Sequence, residues 1–301
     1  MINQDNTFKN RNSFDGNYRK EKNTYSKNNW QESSKKDKEW ANAKSDEMAE
    51  KVGKSTKDLI AYLDIQTKFE MYSASNALLI LNQKPEATYL REYSKWKEDG
   101  FEIKDSKDKV IIIKREQGQK ADGSIAHFYN ARNLYDVSNT NAPALQVKSP
   151  PDKATIIKTL LNGSNVNVEV VDRLENNMLA KYDFERETMQ ICRGQSADGK
   201  IQDLVMELAK VEFKVNEIGI SESEKENRKF KSTCVSYMFC KKFNIDFPND
   251  KFAELPNYLS GDTKQIKAEL ETIKDTYIKV TDRMYGSLDR ERNTKLKEQV
   301  R

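Results

Sequence analysis

Histidine is almost missing from this chain: His127 is the only one in 301 residues. Within one chain that excludes chemistry built on a histidine pair, or on a metal site with more than one imidazole. His127 lies between Gly123 and Tyr129 in an expected hairpin and reads as a surface or half-buried strand residue. Cysteine is scarce too. Cys192, Cys234 and Cys240 form an odd set without a C-x-x-C pair, which speaks against a disulfide framework and for a reducing, cytoplasmic compartment. Cys234 and Cys240 fall on different faces of an expected helix and read as core thiols. The opening residues, Met1-Ile2-Asn3-Gln4-Asp5, contain no apolar signal core. The longest apolar runs, such as 77–81 and 110–113, are far too short for a bilayer, so no membrane partner is expected. There is no Gly-rich phosphate loop between a strand and a helix, no G-x-S-x-G and no internal repeat.

Charge is plentiful but almost balanced: 52 Lys+Arg against 48 Asp+Glu leave a net +4. Such a balance permits nucleic-acid binding without announcing it. It excludes a DNA-mimic inhibitor, which needs a large acidic excess. The length favours two domains. Apolar residues concentrate after about residue 58, enough for two small cores and a disordered remainder.

Residues 1–40 are rich in Asn, Lys and Ser and carry neither a 3.6 nor a 2 period, so a disordered basic leader is expected there. Phe8, Phe14, Tyr18, Tyr25 and Trp30 are interleaved with its bases. That pattern suits either a solvated leader or a segment that grips single-stranded nucleic acid.

Helical spacing covers about 39–69, with Gly53 as a break and Ser55 capping a second helix through Asp58. A Ser cap and an apolar run make 72–85 a buried helix ended by Pro85. Residues 88–100 read as another helix, stopped by Gly100. Strands are expected at 101–103, 110–114 and 126–129, with a turn at Asp122-Gly123 and closure at 135–137. A Pro-containing linker at 141–152 follows. Beyond it come a short helix at 155–161, strands at 168–171, 179–183 and 188–192, and a helix at about 200–215. A charged loop at 221–227, helices at 228–243 and 263–284, and a fraying end from 288 complete the chain.

The helix at 200–215 is the most suggestive element. Ile201, Leu204, Val205, Leu208 and Val215 share one face, while Met206 and Lys210 lie a turn apart on the other. A zinc hydrolase of the H-E-x-x-H type places imidazoles at those two positions around a general-base Glu. Here Glu207 stands between a thioether, which is a poor zinc ligand, and an ammonium, which has no lone pair and repels a dication. The frame of a metal site is present without its metal chemistry.

Several ordered motifs resemble a known family. Tyr72-Ser-Ala-Ser-Asn76-Ala-Leu-Leu-Ile, Gln83-Lys-Pro-Glu-Ala-Thr88, Tyr93-Ser-Lys-Trp96-Lys-Glu-Asp-Gly100 and Leu134-Tyr135-Asp136-Val137-Ser138-Asn139-Thr140 are similar to the N-terminal single-stranded-DNA-binding domain of ArdC-type, LtrC-like antirestriction proteins. The segments Leu204–Phe213 and Ser232–Met238 resemble the ImmA/IrrE-like metallopeptidase domain that follows in such proteins. The resemblance places the family's three zinc ligands at Met206, Lys210 and Thr233, so all three are replaced. One departure is the turn at 104–109, where acids are mixed among the lysines.

The resemblance implies an α+β chain: a disordered leader (1–40), a helical, small antiparallel-sheet domain (41–140), a linker (141–152) and a zincin-like α+β domain lacking zinc ligands (153–301). It implies DNA contact by Tyr72, Asn76, Tyr89, Tyr93 and Trp96 through stacking and hydrogen bonding, although core packing is the ordinary fate of aromatics at helical spacing. Lys84, Arg91, Lys95, Lys97 and Lys104 would neutralise phosphates, against a field weakened by Glu86, Glu92, Glu98 and Asp99. The expected function is anti-defence on a mobile element: non-specific single-stranded DNA binding that protects incoming DNA from restriction. The expected protein is not an enzyme, holds no metal or cofactor, and keeps Glu207 only as a vestige. Two alternatives stand beside it. One is a protein-binding inhibitor of a host nuclease, a restriction enzyme or CRISPR effector. The other is an active peptidase with unusual ligands.

Overall fold

The architecture is given by a computed structural model, which describes residues 16–119, 122–143, 149–164, 166–194, 196–252, 259 and 261–299. Three helices open it: α1 (Gly16–Lys54), α2 (Thr56–Lys68) and α3 (Ala74–Gln83). A first sheet follows, built from β1 (Leu90–Glu92), β2 (Val110–Gln119) and β3 (Ile125–Asp136), with the short α4 (Tyr93–Glu98) after β1. Its order is β1-β3-β2 and both pairings are antiparallel. The second half runs α5 (Lys153–Ser164), β4 (Asn167–Val171), β5 (Ala180–Asp183), β6 (Thr188–Cys192), α6 (Ala197–Glu212), α7 (Glu222–Lys242) and α8 (Thr263–Gln299). Its sheet has the order β4-β6-β5, with β4 parallel and β5 antiparallel to β6. The class is α+β, as expected, and the strands at 168–171, 179–183 and 188–192 fall where the alternation put them.

The last helix is the spine. Ile266, Leu270, Ile273, Tyr277, Val280 and Met284 are all buried, at the three- and four-residue spacing that keeps one helical stripe inside. That stripe packs α8 on α1, α3, α5, α6 and α7. The two expected small cores are therefore one apolar cluster, joining Leu59, Leu78 and Val110 to Leu204, Val235 and Ile273. Composition could not show this, because it does not say that one helix presents its stripe to both halves. Polar ties cross in the same place. Tyr237 Oη donates to Asp64 at 2.6 Å, and Lys242 Nζ lies 2.6 Å from Glu70.

Other expectations are corrected. Residues 16–40 are helical, so the disordered leader does not extend through them; residues 1–15 lie outside the described residues, as do 144–148 of the linker. Ala41, Ser45, Met48, Ala49 and Val52 are buried and anchor α1. From such an anchor, each upstream residue adds a hydrogen bond without a new nucleus. Gly53 does not break α1. A Cβ there would lie 1.8 Å from the Leu259 carbonyl oxygen, so glycine allows a close approach instead. The break falls at Ser55, whose side chain accepts from Asp58 N at 3.2 Å, as expected.

The stretch 88–100 is not one helix. The Asp136 carboxylate accepts from Thr88 N at 2.7 Å and Tyr89 N at 2.9 Å, which draws 90–92 into the sheet as β1. Of the strand expected at 101–103 only the bridge between Ile103 and Thr140 forms. The charged loop at 221–227 is the first turn of α7, capped by Ser221, whose hydroxyl accepts from Glu224 N at 3.2 Å. The expected fraying end continues α8 as far as Gln299. Among the described residues, no helix is long and apolar enough to cross a membrane.

Candidate functional site

Two places merit attention: the cleft on α6 and a groove beside the first sheet. Ser196 caps α6, accepting from Gly199 N at 3.4 Å, and its apolar face, with Ile201, Leu204, Val205 and Leu208, is buried. Glu207 is only 2% exposed. Its Oε2 accepts from Tyr182 N at 3.1 Å and its Oε1 from Lys210 Nζ at 2.6 Å. One turn earlier, Asp203 Oδ2 accepts from Leu179 N at 2.8 Å. Two carboxylates spaced i, i+4 on α6 thus fix β5, Glu207 at Tyr182 within the strand and Asp203 at the residue that leads into it. On the neighbouring helix, Thr233 Oγ1 donates to Lys229 O at 3.3 Å and lies 3.9 Å from Met206 Sδ.

Met206, Glu207, Lys210 and Thr233 thus come together between α6 and α7. Glu207 and Lys210 border a hollow of about 420 Å³ that also meets Tyr182, Asn216 and Lys229. The donor set does not suit a divalent cation. It offers a thioether, an ammonium and a hydroxyl, and the carboxylate already serves a backbone amide and an ammonium. Among the described residues, no group of three or more His, Cys, Asp or Glu side chains could hold a metal ion. Cys234 and Cys240 offer no substitute. Both are buried, and burial pushes the Cys240 thiol up to about 12 and that of Cys234 higher still, so neither supplies a thiolate near neutral pH.

The groove begins with α3. Asn76 Nδ2 donates to Ile113 O at 2.8 Å while Ile113 N donates to Asn76 Oδ1 at 2.9 Å. Gln83 makes the same pair of bonds with Ile111, both at 2.9 Å. Two side-chain amides, seven residues apart on one helix face, thereby take the place of a fourth strand along the open edge of β2. On the other side of the sheet order, Trp96 anchors α4. Its indole Nε1 donates to Tyr135 O at 2.9 Å, and Tyr89 and Phe101 lie edge-on to its ring. Beyond residue 113 the β2–β3 hairpin leaves the core as an arm, with Phe128 and Tyr129 about half exposed.

Between this arm, β1, α4 and the start of α3 lies a groove of about 830 Å³. Tyr72 and Tyr129 line it, together with Arg91, Lys95, Lys114 and Arg115, and with the acids Glu92 and Glu271. Most of the basic charge is already matched. Arg91 pairs with Asp99 and lies 5.4 Å from the Trp96 ring, Lys95 is 2.7 Å from Glu98, and Lys114 is 2.7 Å from Glu92. The hydrogen bond to Glu98 holds the Lys95 ammonium above the ordinary lysine range, and burial raises the Tyr72 phenol, so both keep their usual charge state at neutral pH. Arg115 has no acidic partner among the described residues.

Of the residues singled out from sequence, Tyr72, Asn76, Arg91 and Lys95 line this groove. Asn76 is buried and engaged with β2, so its place is structural. Trp96 is 2% exposed and its indole N–H is taken by Tyr135, which makes it a core anchor rather than a stacking surface. Tyr89 and Tyr93 are exposed, but at Trp96 and Tyr135 rather than in the groove. Lys84 is mostly covered and 2.7 Å from Asp108. Lys104 donates to Ser138 O at 3.3 Å, and Lys97 is exposed on α4. Neither reaches the groove. Lys114, Arg115, Tyr129 and Glu271 were not foreseen. The alternation 114–119 facing 125–130 carried a signal for the first three, while Glu271 belongs to a helix almost 200 residues downstream of the groove.

No protein-family model matches the chain, and no characterised protein matches it in sequence. Two solved structures are similar in shape. The Mn(II)-bound crystal structure of the antirestriction ArdC protein from plasmid R388 is 10% identical, covers 71% of this chain and 85% of its own, and has a TM-score of 0.50. The metal-free crystal structure of the same protein is 12% identical, covers 71% of this chain and 86% of its own, and has a TM-score of 0.49. The Mn(II)-bound structure carries the conclusion: this chain has an α+β fold of the ArdC type.

Proposed function

We propose that the chain is an antirestriction protein without peptidase chemistry, which holds single-stranded DNA in the groove between the hairpin arm and α4. The observation that carries this reading is the co-location of two tyrosine rings, Tyr72 and Tyr129, with Arg91, Lys95, Lys114 and Arg115 in one open groove. Aromatic faces accept any base, and cations beside them follow the phosphates. The fold adds support, since the similar protein is described as an antirestriction protein.

The reading predicts modest affinity. With three of the four cations already engaged by acids, the field on an incoming strand is weak, and neutralising at most four phosphates gives a salt slope no steeper than about −3. On this reading the α6 cleft supplies no peptidase step, because Glu207 is engaged by Lys210 and Tyr182 and its neighbours Met206, Lys210 and Thr233 form a poor ligand set for a metal that would activate water. The test is fluorescence anisotropy of the full chain with a labelled single-stranded oligonucleotide, titrated from low to high salt. Binding that weakens with salt and with Arg115→Ala supports the reading. No binding at low salt overturns it, and retention of a host nuclease without DNA would then favour a protein-binding inhibitor.

A further inference from the structure

Glu271 reaches the groove from α8. Its Oε2 accepts from Ala74 N at 2.6 Å, at the first residue of α3, and Lys274 pairs with its Oε1. Across the same groove stands Glu92, 2.7 Å from Lys114. Carboxylates are out of place in a channel for a polyanion, because they repel phosphate. What attracts them in a DNA strand is the base edge, where amino and imino groups donate hydrogen bonds. Each carboxylate oxygen keeps a second lone pair beyond its present bond.

Resting on the reading of this groove as a single-stranded-DNA site, we propose that Glu271 and Glu92 receive the base edge. The groove then favours bases with an exocyclic amino group over thymine. Cytosine offers N4–H₂ and adenine N6–H₂ to such an acceptor, and guanine offers N1–H and N2–H side by side. Thymine offers only N3–H, flanked by O2 and O4, whose lone pairs face the carboxylates. The two tyrosines hold the ring while Arg115 and Lys95 remain with the backbone. This division of labour puts each acid where the strand is electropositive.

Anisotropy with labelled oligo-dC and oligo-dT of equal length, at neutral pH and low salt, tests the proposal. The wild-type chain should bind oligo-dC about fivefold or more tighter. Glu271→Gln and Glu92→Gln should each bring that ratio toward one without weakening oligo-dT. The Glu92 variant leaves the bond to Ala74 intact, so it separates base reading from loosening of α3. Equal wild-type affinity for the two oligomers overturns the proposal while leaving the groove a DNA site, and so does a dC preference that neither variant changes. If neither oligomer binds at low salt, the DNA reading itself falls.

Discussion

Asn76 and Gln83 sit two helical turns apart on α3, and each grips one residue of β2 with both ends of its side-chain amide, Ile113 and Ile111 respectively. The spacing is not arbitrary. Residues 111 and 113 turn their amide and carbonyl groups to the same edge of an antiparallel strand, and a helix brings positions i and i+7 back to one face. The hairpin arm that carries Arg115 and Tyr129 is held in place by this match.

Truncating either amide should therefore destabilise the protein. Asn76→Ala strands the half-buried Ile113 amide and carbonyl, at a cost of about 1 kcal/mol or more. Gln83→Ala should behave similarly. Urea unfolding followed by circular dichroism measures both, and a midpoint equal to wild type for either variant would remove that residue from its structural role.

The Lys210–Glu207 pair is expected to be a structural necessity rather than a relic. Lys210→Met leaves a buried carboxylate without its cation and should cost about 3–5 kcal/mol. The double variant Glu207→Gln, Lys210→Met removes both charges and should recover most of the loss. Thermal melts compare the two, and a single variant as stable as the double would contradict the pairing.

Metal should leave the wild-type chain indifferent. Mn(II) or Zn(II) is expected not to move its melting temperature, since Met206, Lys210 and Thr233 offer no suitable ligand set. Restoring the pattern with Met206→His, Lys210→His and Thr233→Glu should create a site. At a metal concentration one hundred times its dissociation constant, binding would add about 2.7 kcal/mol of stability. A wild-type chain that retains stoichiometric metal through dialysis would overturn the view of this cleft as metal-free.

Stacking is tested at Tyr129. Tyr129→Ala should weaken single-stranded DNA binding by about 1–3 kcal/mol, and its exposed ring gives no reason for a large loss of stability. Trp96→Ala should do the opposite, disturbing the fold first. Binding and melting curves on the same two variants distinguish a contact residue from an anchor.

Acid stability should depend on Asp136. Burial works against its charge, but the bonds from Tyr89 N, Ser138 and Thr88 N outweigh that and hold its carboxyl below the ordinary aspartate range. A carboxyl with a lowered folded-state value contributes stability that is complete above its unfolded value of about 4 and is lost as pH falls through the folded one. Wild type should thus lose more stability than Asp136→Asn on going from neutral pH to below about 3. Parallel loss in the two proteins would argue against it.

Several of these features were legible in the sequence, and others were not, for physical reasons. Ser55 as a cap, the buried run of α3 and the apolar face of α6 are local patterns, and local patterns survive folding. Trp96 misled because aromatic rings at helical spacing look alike whether they anchor or stack. Leu90–Glu92 became a strand through Asp136, a partner more than forty residues away. Glu271 entered the groove through the packing of α8, which no period within α8 announces. The division into halves at about 140–153 marks a change in local pattern but no gap in packing, because the stripe of α8 faces both sides.

The two capped edges have a consequence for the protein's behaviour at high concentration. An open strand edge is a template on which a second chain can polymerise. Here Asn76 and Gln83 occupy that template on β2 at Ile113 and Ile111, and Glu207 occupies it on β5 at Tyr182, with Asp203 on the residue just before the strand. Recruitment of a second chain at 111–113 or at Tyr182 would first require α3 or α6 to detach, so the lysine-held carboxylate of Glu207 also closes part of a strand edge against pairing.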